Sequence, residues 1–381
     1  MRFPAPTVPA GVYVHVPFCA IRCSYCDFPT VAGQDHRLPA YLAALEREIG
    51  TFQAEAEGPV DTIYLGGGTP SRLTPGQVGR VLGAVRARFP VAPGAEVTLE
   101  GNPESLGEAA LAGFAEAGVT RFSVGVQSLD DAVLGRVGRA HDAAQAEAAV
   151  ARARATGCQV NADLIAGLPG EVLARWGETV ARVASWGTDH VSVYLLETDK
   201  DTPLGRAVRG GRVEVPDDDL QAEAYRSTVE GLAAAGLAAY EISNFARPER
   251  QSRHNLKYWT DAPYAAFGLG AHAYAAGVRR ANTRELSAYL AALAEGRDPV
   301  EWAEPFDAVR RLGEALMLGL RLAWGVDLDA LGERYGLDPR RRYAATWERG
   351  CAAGLLVLDG PRARLTAEGW LRSNELFVDF V

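Results

Sequence analysis

The stretch Tyr13-Val-His-Val-Pro-Phe-Cys19-Ala-Ile-Arg-Cys23-Ser-Tyr-Cys26 places three cysteines in one short loop, directly after an apolar run that predicts a strand. Their spacing is C-x3-C-x2-C. A structural zinc site usually needs four protein ligands in two separated pairs, and no C-x2-C or H-x3-H partner follows downstream. Thiolates hold iron-sulfur cubes, and three of them on a four-iron cube leave one iron open to an outside ligand. The alternative is three reduced structural cysteines clustered by chance.

Outward from this loop, short β-branched runs alternate with longer alanine-rich stretches as far as about residue 196, which is typical of βα units around a parallel sheet. We predict strands at residues 12–16, 62–65, 96–100, 121–126, 159–165 and 190–196. The predicted helices cover residues 39–56, 75–89, 106–117, 143–156, 173–186 and 217–235. Six such units predict an α/β fold with a partial (β/α)6 barrel, because a full barrel has eight.

Glycine-rich or polar turns follow four of these strands, at the end where barrel chemistry sits. They are Gly66-Gly-Gly-Thr-Pro70, Glu100-Gly-Asn-Pro103, Gly125-Val-Gln127 and the stretch 163–170. One face of the barrel is therefore expected to collect the functional positions.

Beyond residue 240 the pattern changes. Residues 247–274 are polar, basic and aromatic, and a helix at 286–294 and a proline-containing connection at 297–305 follow. From residue 307 onward we predict three helices and then two strands, 355–358 and 362–366. We therefore divide the chain into a barrel (1–240), a segment and linker (241–304) and a small α+β domain (305–381).

Composition restricts the class of protein. The 381 residues are 48% hydrophobic and 23% charged, which is ordinary for a soluble globular protein. We find no apolar run long enough to span a membrane and no signal-peptide core in residues 1–11, so we expect a cytoplasmic protein. Five cysteines, three of them crowded together, argue against a disulfide framework. The net charge of −9 disfavours a nucleic-acid binder.

The cysteine motif after a strand resembles the signature of radical S-adenosylmethionine (SAM) enzymes. Its flanks, Tyr-x-His-x-Pro-Phe-Cys and Tyr25-Cys-Asp-Phe28, narrow the resemblance to the HemN/HemW family, and it covers nearly the whole chain. The resemblance implies a 4Fe-4S cluster held by Cys19, Cys23 and Cys26, a six-unit barrel and a C-terminal winged-helix-like domain.

The same resemblance implies a set of residues that bind SAM. In the family a turn like Gly67-Gly68-Thr69 contacts the amino group of SAM, while Tyr13 and Tyr25 flank the cluster cysteines. Glu100 is a carboxylate at a strand end. Gln127 and Arg139 resemble the family's side chains that hold SAM, and Asp163 resembles the one that binds its ribose hydroxyls. The alternatives are a tight strand-to-helix turn for the glycines and ordinary salt-bridge partners at the barrel mouth for the others.

A second motif, His254-Asn-Leu-Lys-Tyr-Trp259, resembles the H-N-x-x-Y-W sequence of the haem-chaperone branch of the family, where it is linked to haem binding. An imidazole can bind haem iron axially, and nearby cations can meet its propionates. These cations are Arg247, Arg250, Arg253 and Lys257. The alternatives are that His254 is a hydrogen-bonded structural histidine, or that His272 is the ligand.

Two functions follow from the resemblance. One is a haem chaperone that binds haem and passes it to haem-accepting proteins, which include membrane-bound ones, with a low-potential electron donor for the cluster. The alternative is an oxygen-independent coproporphyrinogen III dehydrogenase that makes protoporphyrinogen IX. The absence of a further cysteine after Cys26, the 18 residues before Cys19 and the H-N-x-x-Y-W motif favour the chaperone. We also expect a peripheral association with the membrane, and homodimerisation is left open.

Overall fold

Six parallel strands form the centre of the computed structural model, which describes residues 11–53, 59–275 and 277–381. In chain order the strands of these residues are β1 (Gly11–Val16), β2 (Phe18–Cys19), β3 (Val31–Ala32), β4 (Val60–Gly67), β5 (Val91–Gly101), β6 (Arg121–Gln127), β7 (Gln159–Ala166), β8 (His190–Leu195), β9 (Ala238–Glu241), β10 (Asn244–Ala246), β11 (Tyr264–Phe267), β12 (His272–Ala275), β13 (Val278–Asn282), β14 (Val300–Pro305), β15 (Val326–Asp327), β16 (Leu356–Asp359) and β17 (Arg362–Leu365).

The helices are α1 (Leu38–Thr51), α2 (Pro75–Arg88), α3 (Glu108–Ala117), α4 (Asp131–Arg136), α5 (Ala143–Ala155), α6 (Leu173–Ser185), α7 (Pro203–Arg209), α8 (Asp218–Ala234), α9 (Arg253–Trp259), α10 (Leu286–Ala294), α11 (Ala308–Gly319), α12 (Leu328–Tyr335), α13 (Pro339–Arg342), α14 (Ala344–Ala352), α15 (Ala367–Leu371) and α16 (Asn374–Phe377). None of the helices in the described ranges is both long and apolar enough to cross a membrane.

One sheet of twelve strands has the order β14-β13-β12-β11-β1-β4-β5-β6-β7-β8-β10-β9. The six predicted strands are β1 and β4 to β8, which lie side by side in chain order and are all parallel. The predicted α/β fold is therefore confirmed. Strand β5 starts five residues earlier than predicted, at Val91, and helix α1 ends at Thr51, while the predicted end at residue 56 lies outside the described residues.

The sheet continues beyond β1 through four strands that the sequence analysis did not predict. Strand β11 is parallel to β1, with Tyr13 opposite Ala266, and β12 to β14 follow it as an antiparallel meander. All four residues of β11 are buried, so its sequence lacks the apolar-polar alternation that reveals a half-exposed strand. Residues 241–304 thus extend the same sheet as the barrel strands.

Side chains of β1 alternate between two environments. Val12, Val14 and Val16 are fully buried in a cluster that includes Tyr41 and Leu45 of α1, so they anchor the sheet to the outer helices. Burial of each valine contributes about 1.5–3 kcal/mol. The other face of the strand carries Tyr13 and His15, whose side chains bond to each other inside the barrel. The pleat therefore separates packing residues from candidate site residues.

The last part of the chain has its own core. Helices α11, α12 and α14 pack with the three-stranded sheet β15-β17-β16 around buried residues such as Leu316, Trp347 and Phe380. Backbone and side-chain contacts join it to the barrel: the Ala323 amide donates to the carbonyl of Tyr240 at 2.9 Å, and Arg334 pairs with Asp261 at 2.9 Å. Helices followed by the β16–β17 hairpin agree with the winged-helix-like arrangement.

A buried carboxylate ties α1 to the loop that leads from β11 to β12. Glu48 accepts hydrogen bonds from the amide of Gly268 at 2.8 Å, from Asn282 Nδ2 at 2.6 Å and from the Tyr289 hydroxyl at 2.6 Å. Burial nevertheless raises the pKa of Glu48 from 4.5 to about 7, because desolvation outweighs the three donors. The folded protein therefore holds a proton on Glu48 that the unfolded chain has already released at pH 6.

We expect the Glu48→Gln substitution to remove one component of the pH dependence of stability. Since the folded pKa lies above the unfolded one, the contribution of Glu48 is fully present below about pH 4.5 and is lost as the pH rises through about 7. Between these limits the free energy of unfolding of wild type should fall by about 3 kcal/mol relative to the variant. Denaturant titrations at a series of pH values measure the difference.

The matched control is Glu301→Gln, because Glu301 is exposed on β14 and forms no ion pair within the described residues. Its unfolding free energy should stay parallel to that of wild type across the pH range. Parallel curves for wild type and Glu48→Gln would contradict the raised pKa.

Candidate functional site

The cysteine loop starts where β2 ends and is held by backbone hydrogen bonds on both sides. Cys19 is the last residue of β2 and only 8% exposed, whereas Cys23 and Cys26 are partly exposed. The amide of Cys26 donates to the carbonyl of Cys23 at 3.2 Å, which closes a turn. Ser24 bonds through its backbone to Val137 at 3.2 Å and to Leu204 at 2.8 Å. The loop is therefore fixed against the mouth of the barrel.

Two barrel side chains point at the thiols. Thr69 Oγ1 donates to the sulfur of Cys19 at 3.5 Å, and Arg139 Nη1 donates to the sulfur of Cys23 at 3.7 Å. Burial raises the pKa of Cys19 and of Cys26, and the neighbouring Cys23 raises both further. Donors aimed at sulfur stabilise thiolates, which are the form that binds metal.

The donor set suits a cluster better than a single ion. Within the described ranges no three His, Cys, Asp or Glu side chains are grouped so that they could hold one metal ion. In a four-iron cube each thiolate binds a different iron, so its ligands need not converge on one point. Three thiols spaced along one loop fit that geometry.

The glycine turn after β4 packs directly under the cysteine loop. Gly67 has φ +113°, and a Cβ there would lie 2.5 Å from Cε1 of His15. A Cβ on Gly68 would lie 2.6 Å from the carbonyl carbon of Pro17, and the Gly68 amide donates to Val16 at 2.8 Å. Neither position has room for a side chain, so only glycine allows this close packing against β1 and Pro17. We call the turn of residues 66–68 the cradle.

Glu100 ends its strand inside this cradle. Its Oε1 accepts from the Tyr64 hydroxyl at 2.7 Å, and its Oε2 accepts from the amide of Gly67 at 3.0 Å. Burial raises the pKa of Glu100 from 4.5 to about 7, and the nearby charge of Asp163 adds to the shift. A cationic amine that approached this carboxyl would favour its ionised form.

Arg139 reaches across the barrel mouth to the cysteine loop. Its Nη2 donates to Asn102 Oδ1 and to the carbonyl of Gly125, both at 2.8 Å. Its Nε is buried and has no hydrogen-bond partner among the described residues. Gln127, two residues after Gly125, has φ +65°, a conformation that costs a non-glycine residue about 1–3 kcal/mol and occurs often at functional sites.

Asp163 lies deeper in the barrel and is held by its own neighbours. Ser123 Oγ donates to Oδ2 at 2.8 Å and Asn161 Nδ2 donates to Oδ1 at 2.7 Å. Burial raises its pKa. Within the described residues neither Asp163, Glu100 nor Arg139 forms an ion pair, so the alternative of ordinary salt-bridge partners does not describe them.

The two predicted tyrosines lie on different elements, Tyr13 on β1 and Tyr25 within the cysteine loop. The Tyr13 hydroxyl is 3.0 Å from Nδ1 of His15, whose Nε2 is 3.0 Å from the carbonyl of Pro29 in the cysteine loop. Burial raises the pKa of Tyr25, which lies next to Cys23 and Arg139. His15 thus links the barrel interior to the loop.

Sequence reasoning missed several interior side chains. Tyr64 bonds to Glu100, Asn102 bonds to Arg139, and Tyr194 on β8 is 43% exposed to the barrel interior beside Asp163. The alternation of side chains along a strand could have identified Tyr64 and Tyr194, because each follows a buried apolar residue that faces the other side of the sheet.

The structure brings every predicted site residue except His254 to the cysteine end of the barrel. His254 is fully buried, with Nδ1 2.9 Å from Thr62 Oγ1 and Nε2 3.0 Å from the Tyr258 hydroxyl. Burial lowers its pKa to about 3. Thr62 lies near the start of β4, so His254 lies on the strand-start side of Tyr64, with the two ring centroids 5.2 Å apart.

The cations near His254 also have partners within the protein. Arg253 and Lys257 pair with Asp61 at 3.0 and 2.6 Å, and Arg250 pairs with Asp189 at 3.5 Å. Arg247 donates to the carbonyl of Thr188 at 3.0 Å. Both ring nitrogens of His254 are thus bonded within the protein, as in a structural histidine.

Comparison with known proteins agrees with this arrangement. Residues 13–183 match the model of the radical SAM superfamily, and residues 307–372 match that of the HemN C-terminal domain. "Heme chaperone HemW" of Mycobacterium tuberculosis (strain ATCC 25618 / H37Rv) is 40% identical over 97% of this chain and 94% of its own. "Heme chaperone HemW" of Bacillus subtilis (strain 168) is 33% identical over 97% and 99%.

Among solved structures, "Coproporphyrinogen III oxidase (HemN) from Escherichia coli is a Radical SAM enzyme" aligns with a TM-score of 0.85. The alignment covers 98% of this chain and 90% of that one at 24% sequence identity. This likeness establishes a shared fold and nothing more.

We expect Cys19→Ala, Cys23→Ala and Cys26→Ala each to abolish the visible charge-transfer absorption of anaerobically reconstituted protein, because two remaining thiolates hold a cube too weakly. Cys351→Ala is the control, since Cys351 is exposed on α14, far along the chain from the loop. Absorption spectra and bound iron measure the outcome. A variant of the three that kept full iron content would refute the cluster assignment.

We expect Gly67→Ala to lower the free energy of unfolding by about 1–3 kcal/mol, because alanine is strained at φ +113° and its methyl group meets His15. SAM binding by cluster-loaded protein should weaken as the cradle is displaced. Gly83→Ala, in the open interior of α2, should instead raise the free energy of unfolding by about 0.5–1 kcal/mol. Equal effects of the two substitutions in denaturant titrations would contradict the requirement for glycine at position 67.

Proposed function

Because the chain belongs to the HemW family of the radical SAM superfamily, we propose that it is a haem chaperone, which binds haem and passes it to haem-accepting proteins. The observation that carries this proposal is the identity of 40% over 97% of the chain to "Heme chaperone HemW". The likeness to the HemN structure, at 24% identity, does not extend to activity. The paired domains support the same family, since both family models match in order along one chain.

The proposal includes two cofactors, a 4Fe-4S cluster and SAM. Cys19, Cys23 and Cys26 would hold the cluster, and the fit is supported by the donors that Thr69 and Arg139 aim at the sulfurs. When bound, the reduced cluster supplies the electron that cleaves a sulfur-carbon bond of SAM. A low-potential electron donor is therefore a further partner in this proposal.

The residues of the cradle supply binding and orientation for SAM. Gly67 and Gly68 hold the turn against the cysteine strand, and the carboxylate of Glu100 can accept a hydrogen bond from an amine. The unpartnered Nε of Arg139 can donate to a carboxylate. Asp163 and Gln127 line the interior beside them and suit hydroxyl groups.

A direct comparison of haem transfer with porphyrin turnover tests this function. We expect the full-length protein to bind hemin stoichiometrically and to reconstitute an apo-haemoprotein, as followed by the absorption of the acceptor. Anaerobic incubation of cluster-loaded protein with SAM, reductant and coproporphyrinogen III should give no protoporphyrin after oxidation.

Protoporphyrin formed over many turnovers would replace the chaperone with the dehydrogenase. The proposal would also be contradicted if hemin bound to this protein reached the acceptor no faster than free hemin does. Free hemin with the acceptor alone is the required control.

A further inference from the structure

Most histidines of this chain are already committed to internal hydrogen bonds. The sequence contains six, and four of them are at most 4% exposed: His15, His141, His190 and His254. His141 Nε2 is 3.0 Å from the carbonyl of Val126, and both nitrogens of His190 have partners within 2.9 Å. An axial ligand needs a free ring nitrogen at an accessible surface. Only the two exposed histidines, His36 and His272, meet that condition.

His272 opens β12 and stands beside an exposed aromatic side chain. Neither of its ring nitrogens makes a hydrogen bond to any residue that the structure describes. Its ring centroid lies 5.7 Å from that of Trp302, with the planes at 73°, and Trp302 is 41% exposed. A tryptophan left this open on an edge strand is an available apolar surface.

The sheet register explains why the two side chains meet. His272 is opposite Ala281 on β13, and Ala281 is opposite Trp302 on β14, so the three side chains share one face of the sheet. Ala281 is 3% exposed and fills the space between the two rings with a single methyl group. We call these three residues the His272–Trp302 shelf.

A cation without a carboxylate partner adjoins the shelf. Arg284 is exposed and forms no ion pair within the described ranges. Its Nη2 donates to the carbonyl of Asp27, the residue after Cys26, at 2.8 Å. A Cβ built on Gly270, two residues before His272, would lie 3.3 Å from Cγ of Arg284, so the guanidinium stem runs beside the shelf. Burial lowers the pKa of His272, and the charges of Arg284 and Arg279 lower it further. The shelf therefore borders the cysteine loop.

We propose that His272 is the axial ligand of haem iron, with the porphyrin lying against Trp302 and a propionate paired with Arg284. A free imidazole nitrogen, an exposed aromatic face and an unpaired guanidinium are the three groups that recognise this ligand. The inference rests on the proposed function. It differs from the H-N-x-x-Y-W hypothesis, because both ring nitrogens of His254 already have partners and the side chain is fully buried.

The test is a titration of the full-length protein with hemin and with metal-free protoporphyrin IX. We expect His272→Ala to weaken hemin binding at least about tenfold and to shift its Soret band, because the iron loses its nitrogen ligand. Protoporphyrin binding should be unchanged, since it has no iron. Free imidazole should restore the wild-type hemin spectrum to the variant.

Two further variants sharpen the result. His36→Ala removes the other exposed imidazole and should leave the hemin spectrum and affinity as in wild type. Arg284→Gln should weaken hemin and protoporphyrin alike, several-fold, because both carry propionates.

The outcomes separate this inference from the function on which it rests. If wild type binds hemin and His272→Ala binds it with the same affinity and Soret band, His272 is not the ligand and the chaperone proposal stands. If His36→Ala reproduces the loss of hemin affinity, the assignment of haem to the His272–Trp302 shelf is also wrong. If wild type binds no hemin at all, the proposed function fails and this inference fails with it.

Discussion

The pairing of β1 along both of its edges is the constraint on which the candidate site depends. Strand β1 is parallel to β4 over six residue pairs and to β11 over four. A slip of one residue would exchange the two faces of the strand, so the valines would enter the barrel interior and Tyr13 and His15 would meet the outer helices. The double ladder makes such a slip costly. The hydrogen bond from His15 to the carbonyl of Pro29 links β1 to the cysteine loop. The amide of Gly68 donates to the carbonyl of Val16, which links the glycine turn to the same strand.

Buried carboxylates are the second feature that joins stability to function. Glu48 and Glu100 both have a pKa raised to about 7 by burial, although each accepts hydrogen bonds from the backbone and from tyrosine. Desolvated carboxyls of this kind cost folding free energy whenever they ionise. The hydrogen bonds that Glu48 accepts hold the loop before β12 against α1. In Glu100 the desolvation leaves a carboxyl ready to be ionised by a cationic ligand, which is the behaviour expected of a binding site.

The parts predicted from the sequence were those encoded by local pattern. The cysteine spacing, the six parallel strands and the turns after them follow from residues close together in the chain, and the helix at Leu286–Ala294 was located to the residue. The strands β11 to β14 were missed, because β11 is entirely buried while five of the six residues of β14 are exposed, so neither shows an apolar-polar alternation. Contacts such as Glu48 to Tyr289 join residues 241 positions apart and follow only from the finished fold. The shelf depends on the register of three missed strands, so His272 was named in the sequence analysis without its partner Trp302.

The position of the H-N-x-x-Y-W motif shows how one sequence signal can have a structural explanation. Helix α9 begins with two amides that donate to the carboxylate of Glu96, at 3.1 Å from Arg253 and 3.0 Å from His254. An anionic side chain at a helix N-terminus is favourable, and Lys257 pairs with Asp61 one turn later. These bonds fasten α9 to the starts of the barrel strands, so the polar residues of the motif close that end of the barrel. A haem bound there would have to displace this closure. The His272–Trp302 shelf is already exposed and requires no such opening. Arg284 beside it donates to the carbonyl of Asp27, which lies in the loop that carries the three cysteines.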